Sequence, residues 1–152
     1  MKILMVCLGN ICRSPMADGL MRKKVVQNDL DVVVDSAGTS GFHAGESPDS
    51  RMRQTARSMG CPIDDLQSRL FVIEDFDEFD RIYVMDKSNR RNVLSLARSV
   101  EDEAKVRMIL NESYPGMEFE VPDPYYGGDQ GFVDVYKMLD EATDAILEKI
   151  RS

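Results

Sequence analysis

Cys7 and Arg13 combine a nucleophile and a cation at a spacing suited to phosphate chemistry. Five residues separate them, and Pro15 directly afterwards suits the first turn of a helix. A loop that opens onto a helix N-terminus directs free backbone N–H groups at an anion and adds the helix dipole. The same surroundings favour the thiolate form of a cysteine. The spacing therefore predicts a loop that closes around one tetrahedral dianion, with Cys7 as a thiolate.

Arg13 and Ser14 add further donors to this predicted loop. A guanidinium donates two parallel hydrogen bonds to two phosphoryl oxygens, which a lysine cannot reproduce. The Ser14 hydroxyl can donate to the sulfur and improve it as a leaving group. The alternative is a buried cysteine at a strand end followed by a surface arginine. An arginine in the first helical turn opposes the helix dipole, which argues against that alternative.

A carboxylic acid is needed for the second half of such a reaction. A thiolate that attacks a phosphate monoester expels an oxygen that must gain a proton. Asp123 lies between Pro122 and Pro124, which restrict its backbone. It is the candidate general acid, and as a carboxylate it would then activate water. An aspartate beside prolines is more often a turn residue, so this assignment depends on the resemblance described below.

The elements that position these residues alternate between strands and helices. Short apolar or β-branched runs predict strands at residues 2–6, 31–37, 80–85 and 106–110. Helices are predicted from about residues 15 to 27, 48 to 59, 87 to 97 and 131 to 151. This order predicts an α/β fold with three layers, in which helices flank both faces of a twisted parallel sheet. Ligands of such sheets bind at the carboxyl ends of the strands, where Cys7, Ser36 and Asp86 fall.

Composition excludes several classes of protein. The 152 residues, 43% hydrophobic and 30% charged, predict one domain that spans residues 1–152. A net charge of -8 argues against a general nucleic-acid binder, because the phosphate backbone requires a positive surface. No apolar run reaches the roughly 18 to 20 residues of a membrane helix, and the N-terminal run is too short for a secretory signal. We therefore expect a cytoplasmic protein that does not insert into membranes.

The cysteines and the histidine indicate no disulfide framework and no metal. Cys7, Cys12 and Cys61 cannot all pair within one chain, and a secreted disulfide scaffold of this size usually carries more cysteines. The single histidine, His43, is predicted to lie in a surface loop, and no Cys and His residues cluster in the sequence. We expect reduced thiols, a structural Cys61, and neither a metal site nor a cofactor.

The run Cys-Leu-Gly-Asn-Ile-Cys-Arg-Ser-Pro at residues 7–15 resembles the signature of the low-molecular-weight protein tyrosine phosphatases. The resemblance extends over nearly the whole chain. Residues 35–40 resemble the exit of the family's second strand, residues 85–89 the exit of its third strand, and residues 123–126 its general-acid loop. It implies a four-stranded parallel sheet and an enzyme that dephosphorylates tyrosine-phosphorylated proteins. A phosphocysteine intermediate and release of inorganic phosphate are also implied.

The resemblance assigns roles to further residues. The phosphate-binding loop comprises Leu8, Gly9, Asn10, Ile11, Cys12, Arg13 and Ser14. Ser36 would support this loop through Asn10, and Asp86 would orient Arg13. The walls of an aromatic slot would be Leu8, Ile11, Phe42, Tyr125 and Tyr126, although a core position for Tyr126 is an equal alternative. A deep slot favours phosphotyrosine, because a phosphoserine is too short to reach the thiolate.

Three positions qualify the resemblance. Phe42 lies where the family often has tryptophan, and Leu66 where many members have a histidine that supports the loop asparagine. Ile11 lies where the related protein arginine phosphatases carry threonine, and an apolar group there favours tyrosine phosphate. The family uses a pair like Cys7 and Cys12 to form a reversible disulfide that protects the nucleophile, although a small buried filler is an equal alternative for Cys12.

Two other functions are weighed against this one. Thioredoxin-coupled arsenate reductases share the fold and the first cysteine loop, but they need two further cysteines near the third strand, and residues 80–98 contain none. A non-catalytic anion-binding module would use the loop without turnover. The set of Cys7, Arg13 and Asp123 argues against such a module.

Overall fold

A computed structural model describes residues 1–126 and 128–152, with only the backbone of Tyr126. Within these residues all strands run parallel in one sheet of order β2-β1-β3-β4. The strands are β1 (Lys2–Cys7), β2 (Val33–Gly38), β3 (Arg81–Val84) and β4 (Val106–Met108). The predicted four-stranded parallel α/β fold is confirmed. The last strand is shorter than predicted, because the chain turns into a 3-10 helix at Ile109–Asn111.

The helices follow the predicted order, with two short additions. They are α1 (Arg13–Gln27), α2 (Ser50–Ser58), α3 (Asp75–Glu78), α4 (Lys87–Leu94), α5 (Val100–Lys105) and α6 (Asp129–Arg151). A second 3-10 turn covers Pro124–Tyr126. Neither α3, of four residues, nor α5, of six, was predicted from the sequence. Helices this short carry too few turns for an apolar stripe, although the Ser99 N-cap of α5 is a local start signal.

Side chains of β1 alternate between two apolar cores. Ile3 and Met5 pack in the core that contains residues of α1, α2 and α6, whereas Leu4 and Val6 pack in the core that contains residues of α3 and α4. Each fully buried aliphatic side chain contributes roughly 1.5 to 3 kcal/mol of burial free energy. A shift of one residue would exchange the two sets, so the register of β1 is strongly specified. Cys7 is thereby placed at the carboxyl end of a central strand.

Helices α1 and α6 are joined by a cation as well as by apolar packing. The Lys24 ammonium on α1 lies 2.8 Å from Asp140 Oδ1, 2.7 Å from Thr143 Oγ1 and 2.9 Å from Asp144 Oδ1, all on α6. These contacts satisfy all three donors of the ammonium in a largely buried position. In the described part of the chain, no helix has both the length and the apolar character needed to cross a bilayer.

Candidate active site

The loop between β1 and α1 is shaped by one strained residue and one close glycine. Asn10 has a φ of 56°, in the left-handed region that few residues other than glycine adopt. Gly38, at the end of β2, packs against the loop, and a Cβ there would lie 2.8 Å from the Leu8 carbonyl oxygen. The loop backbone and the second strand exit therefore fit together only with glycine at position 38.

The Cys7 sulfur is buried and accepts hydrogen bonds within this loop. The Asn10 backbone N–H donates to it at 3.3 Å, and Ser14 Oγ lies 3.0 Å from it. Asn10 Nδ2 donates to Ser14 Oγ at 2.7 Å, so the serine hydroxyl keeps its own hydrogen for the sulfur at 3.0 Å or the more distant Ala37 carbonyl at 3.4 Å. Donors that converge on a sulfur stabilise its anionic form. The geometry is that of a site built for a thiolate.

The amide of Asn10 is fixed from outside the loop by the segment of Ser68 and Arg69. The Arg69 backbone N–H donates to Asn10 Oδ1 at 3.0 Å. Because a backbone N–H can only donate, this contact identifies the amide oxygen and leaves Nδ2 to Ser14. Ser68 Oγ donates to the Gly9 carbonyl at 3.0 Å. No sequence pattern singled out either contact.

Ser36 and Leu66 do not make the contacts to Asn10 that the family pattern suggests. Ser36 is buried close to Asp18, a buried carboxyl on α1 whose pKa burial raises to about 6. The side-chain hydrogen bonds of Asn10 go to Ser14 and to the Arg69 backbone instead. Leu66 packs against the apolar core. Ser36 therefore lies at the predicted strand exit but does not reach the loop through Asn10.

The N-terminus of α1 has the features of an anion site. Its N-cap residue, Cys12, makes no side-chain capping bond, and the first turn contains no acidic residue. Pro15 has no N–H that would require a partner. The remaining N–H groups of this turn and the helix dipole are available to a bound anion.

Arg13 is almost fully buried and is oriented by the ends of two other elements. Its Nη1 donates to Asp86 Oδ2 at 2.7 Å and to the Val121 carbonyl at 3.0 Å. The other oxygen of Asp86 accepts from the Asn89 N–H at 2.7 Å and caps α4, so the carboxylate is fixed at both ends. Burial alone would lower the pKa of Arg13, but Cys7 and Asp86 outweigh it and raise this pKa. The guanidinium is thus held charged and in one plane.

Asp123 lies at the edge of the site, facing Arg13. Asp123 Oδ2 is 4.0 Å from Arg13 Nη2, and the carboxylate is 36% exposed. Its Oδ1 accepts from the Tyr125 N–H at 3.0 Å, which closes a tight turn. Arg51 on α2 donates to the Tyr125 carbonyl at 3.3 Å and stacks over the Phe132 ring at 4.7 Å. Arg51 therefore anchors the Asp123 loop to α2 and α6, a role that the sequence did not reveal.

A pocket of about 410 Å³ opens above the loop, with Cys7 and Arg13 among its lining residues. The predicted wall residues Leu8, Ile11, Phe42 and Tyr125 line it. His43, which was not predicted to be a wall residue, lines it as well. Phe42 is 84% exposed and contacts His43 edge to face. An apolar ring this exposed contributes little to the core and is available to a ligand. The predicted wall residue Tyr126 has a side chain outside the described residues.

His43 lies in a loop, as predicted, but its side chain forms part of the pocket wall. Its Nδ1 lies 2.8 Å from Glu46 Oε2, and its Cδ2 would lie 3.2 Å from a Cβ at Gly9. The ring is thus packed over the phosphate-binding loop. A lone histidine in a polar segment gave no signal for this position.

Cys12 and Cys61 are buried, and all three cysteines are unpaired. Burial, Asp49 and Cys7 together raise the pKa of Cys12, so it is a neutral thiol. It lines the same pocket as Cys7. The arrangement provides one sulfur supplied with donors, one neutral thiol beside it, a fixed guanidinium and a carboxyl at the mouth. Such a set can bind a tetrahedral dianion and transfer a phosphoryl group.

Known proteins match the chain over nearly its whole length. A family model described as low molecular weight phosphotyrosine protein phosphatase matches residues 2–152. A low molecular weight phosphotyrosine protein phosphatase of Homo sapiens is 39% identical over 97% of this chain and 94% of its own.

Two solved structures share the fold. A protein tyrosine phosphatase from Entamoeba histolytica has a TM-score of 0.93 and 39% identity, covering 99% of this chain and 97% of its own. A drosophila arginine phosphatase has a TM-score of 0.92 and 31% identity, covering 100% and 99%.

Proposed function

Because the chain belongs to the low molecular weight phosphotyrosine protein phosphatase family and is a protein tyrosine phosphatase, we propose that it hydrolyses phosphotyrosine through a phosphocysteine on Cys7. The observation that carries this mechanism is the Cys7 sulfur, which accepts from Asn10 N–H and lies 3.0 Å from Ser14 Oγ, beside the fixed Arg13. Tyrosine-phosphorylated proteins are the proposed substrates, and inorganic phosphate is the second product.

The first step transfers the phosphoryl group to sulfur. The Cys7 thiolate attacks phosphorus, the bond to the tyrosine oxygen breaks, and Asp123 gives its proton to that oxygen. Arg13 and the loop N–H groups other than that of Asn10, which donates to the sulfur, bind the equatorial oxygens, where charge concentrates in the transition state. The position of Asp123 beside Arg13 at the pocket mouth supports this role, because the leaving oxygen points away from the loop.

The second step releases phosphate. The Asp123 carboxylate takes a proton from water, the resulting hydroxide attacks phosphorus, and the S–P bond breaks to restore the thiolate. The Ser14 hydroxyl stabilises that leaving sulfur. One carboxyl thus serves as acid and then as base, and no metal or cofactor is required by these steps.

Phosphotyrosine is the substrate that the pocket favours. The exposed faces of Phe42, Leu8 and Tyr125 offer an aryl ring apolar contact, and the sulfur is buried, which favours a long side chain over a short one. Ile11 places a further apolar group at the pocket wall, where a guanidinium group would gain no hydrogen bond.

Initial rates on matched peptides that carry phosphotyrosine, phosphoserine or phosphoarginine test this selectivity. We expect the phosphotyrosine peptide to have the highest kcat/KM by at least about a hundredfold, a ratio within the range set by pocket contacts. Equal or faster hydrolysis of the phosphoarginine peptide would contradict this selectivity and would make phosphoarginine the proposed substrate. The drosophila structure is described as an arginine phosphatase.

Replacing Asp123 by asparagine tests the general acid through the leaving group. The variant should lose about a hundredfold to ten-thousandfold in phosphotyrosine turnover, and less with para-nitrophenyl phosphate, whose leaving oxygen needs less protonation. The alkaline limb of the rate profile should also flatten, because no proton remains to be lost. Asp129→Asn, at the start of α6, is the matched control and should retain the wild-type rates. Equal slowing of both substrates with an unchanged pH–rate profile would show that Asp123 is not the general acid.

Reversible oxidation is the expected consequence of placing Cys12 beside Cys7. Peroxide converts the Cys7 thiolate to a sulfenic acid, and the Cys12 thiol displaces hydroxide from that sulfur to form a disulfide and water. The raised pKa of Cys12 slows its own reaction with peroxide, so Cys7 is oxidised first. Continued exposure to peroxide oxidises an unprotected sulfenic acid to sulfinic acid, which dithiothreitol cannot reduce, so dithiothreitol should restore activity in the wild type but not in Cys12→Ser. Overoxidised, unlinked Cys7 in the wild type would rule out a protective disulfide.

A reducing, cytoplasmic compartment is the proposed location. The three unpaired cysteines support it, because such thiols persist where disulfides are kept reduced.

A further inference from the structure

The peptide group between Gly9 and Asn10 is held along both of its edges. On one edge, the Gly9 carbonyl accepts from Ser68 Oγ at 3.0 Å. On the other, the Asn10 N–H donates to the Cys7 sulfur at 3.3 Å. A trans peptide places its oxygen and its hydrogen on opposite sides, so the two bonds are aligned through one rigid plane. The Ser68 hydroxyl therefore acts on Cys7 through a single peptide group.

Ser68 itself is held firmly in place. Its side chain is buried, its N–H donates to the Glu46 carbonyl at 2.8 Å, and its own carbonyl accepts from the Gly45 N–H at 2.8 Å. The next residue, Arg69, donates its N–H to Asn10 Oδ1 and accepts from the Gly38 N–H at 2.8 Å. The segment of Ser68 and Arg69 is thus hydrogen-bonded to Gly45 and Glu46, to β2 and to the phosphate-binding loop.

The orientation of this peptide is not the one that the backbone prefers. Asn10 has a φ of 56°, a region that costs residues with a side chain some strain, although asparagine adopts it more readily than most. Rotation of the Gly9–Asn10 peptide about its long axis would bring φ of Asn10 out of this region. It would also turn the N–H away from sulfur and the carbonyl towards it. Only contacts to the peptide oppose this rotation, and among the described residues the Gly9 carbonyl accepts no hydrogen bond other than that from Ser68.

We propose that Ser68 is a positioning residue for the nucleophile: its hydroxyl locks and polarises the Gly9–Asn10 peptide so that the Asn10 N–H stabilises the Cys7 thiolate. The inference rests on the proposed role of Cys7 as nucleophile. Hydrogen bonds in series strengthen one another, so removal of the outer bond weakens the inner one. The charged and titratable groups that line the pocket with Cys7 are Arg13, Cys12, His43 and Asp123, with Asp86 bonded to Arg13, and the Ser68 hydroxyl bonds the Gly9 carbonyl rather than any of them.

The test compares Ser68→Thr with Ser68→Val, which have the same shape and differ in the hydroxyl, together with Ser68→Ala. The readout is the rate at which iodoacetamide alkylates Cys7 as a function of pH, with fragment spectra separating Cys7 from Cys12. In the alanine and valine variants we expect the midpoint of this profile of alkylation rate against pH to move to higher pH. Below that midpoint the alkylation rate should fall about two- to tenfold, the equivalent of one neutral hydrogen bond. The value of kcat/KM should fall by a similar factor.

Threonine at position 68 should restore the midpoint towards the wild type. Ser95→Ala removes another hydroxyl bonded to a backbone carbonyl, at the end of α4, and should change neither the midpoint nor turnover. If the valine and threonine variants share the wild-type midpoint and differ only in thermal stability, Ser68 is merely structural and the inference is overturned.

The two proposals fail in different ways. Activity that persists in Cys7→Ser would overturn the phosphocysteine mechanism, whatever the alkylation profile shows. An inactive Cys7→Ser combined with an unshifted midpoint in the Ser68 variants would overturn the Ser68 inference alone.

Discussion

The Cys7→Ser variant is expected to lose turnover of para-nitrophenyl phosphate by about four to six orders of magnitude, the effect of removing a catalytic nucleophile. A serine hydroxyl stays protonated in the same pocket, because the contacts from Asn10 and Ser14 cannot ionise a group so weakly acidic. The anion site should persist, since Arg13 and the N-terminus of α1 are unchanged. Initial rates and equilibrium binding of inorganic phosphate measure the two properties separately.

Cys61→Ser provides the matched control for this variant. Cys61 is equally buried but lies outside the pocket, so the same exchange of sulfur for oxygen should leave turnover intact. Substantial activity in Cys7→Ser, or equal losses in both variants, would show that the cysteine at position 7 is not the nucleophile.

Replacing Arg13 by lysine is expected to lower kcat by about a thousandfold to a hundred-thousandfold, the range for an arginine that stabilises a transferring phosphoryl group. The guanidinium uses Nη1 for Asp86 and the Val121 carbonyl, which fixes the plane of its remaining donors, and Arg13 lines the pocket. A lysine ammonium has one nitrogen, so it cannot retain these partners and also donate to two phosphoryl oxygens.

The measurement for Arg13 is the rate with para-nitrophenyl phosphate, together with the dissociation constant of inorganic phosphate. Arg90→Lys, in a half-buried ion pair with Glu118, is the control and should keep the wild-type rate. A lysine variant of Arg13 with near-normal kcat would mean that this position supplies charge alone, and the bidentate clamp would have to be abandoned.

The fold could be predicted from the sequence because its strands are short apolar runs buried on both faces. Those runs, separated by helical patterns, determine a parallel sheet and its crossovers. The first and last residues of the helices could be predicted less accurately. The α6 helix begins at Asp129, two residues before the predicted start, and α2 begins at Ser50, after the Asp49 cap. Helix ends depend on cap contacts, which periodicity does not report.

Local and distant parts of the site differ in how far the sequence revealed them. Cys7, Arg13 and Ser14 lie on one loop, so their spacing alone predicts an anion site. Asp123 required a family resemblance, because 109 residues separate it from Arg13.

The missed contacts were distant in the chain or involved backbone atoms. Ser68 contacts Gly9 from 59 residues away, and Arg13 uses the carbonyl of Val121. Residue identity carries no information about a backbone acceptor. Ser36 shows the converse, since a family pattern implied a contact to Asn10, whereas the Asn10 amide bonds Ser14 and the Arg69 N–H instead.

Trapping the phosphoenzyme tests the central claim most directly. The Asp123→Asn variant lacks the proposed base for the second step, so phosphocysteine should accumulate when it is mixed with excess para-nitrophenyl phosphate and quenched in milliseconds. Mass spectrometry of the fragment that contains residues 3–13 should then find one phosphoryl group on Cys7, present during turnover and absent without substrate. Turnover with no phosphorylated Cys7, or with the phosphoryl group on another residue, would contradict the phosphocysteine mechanism.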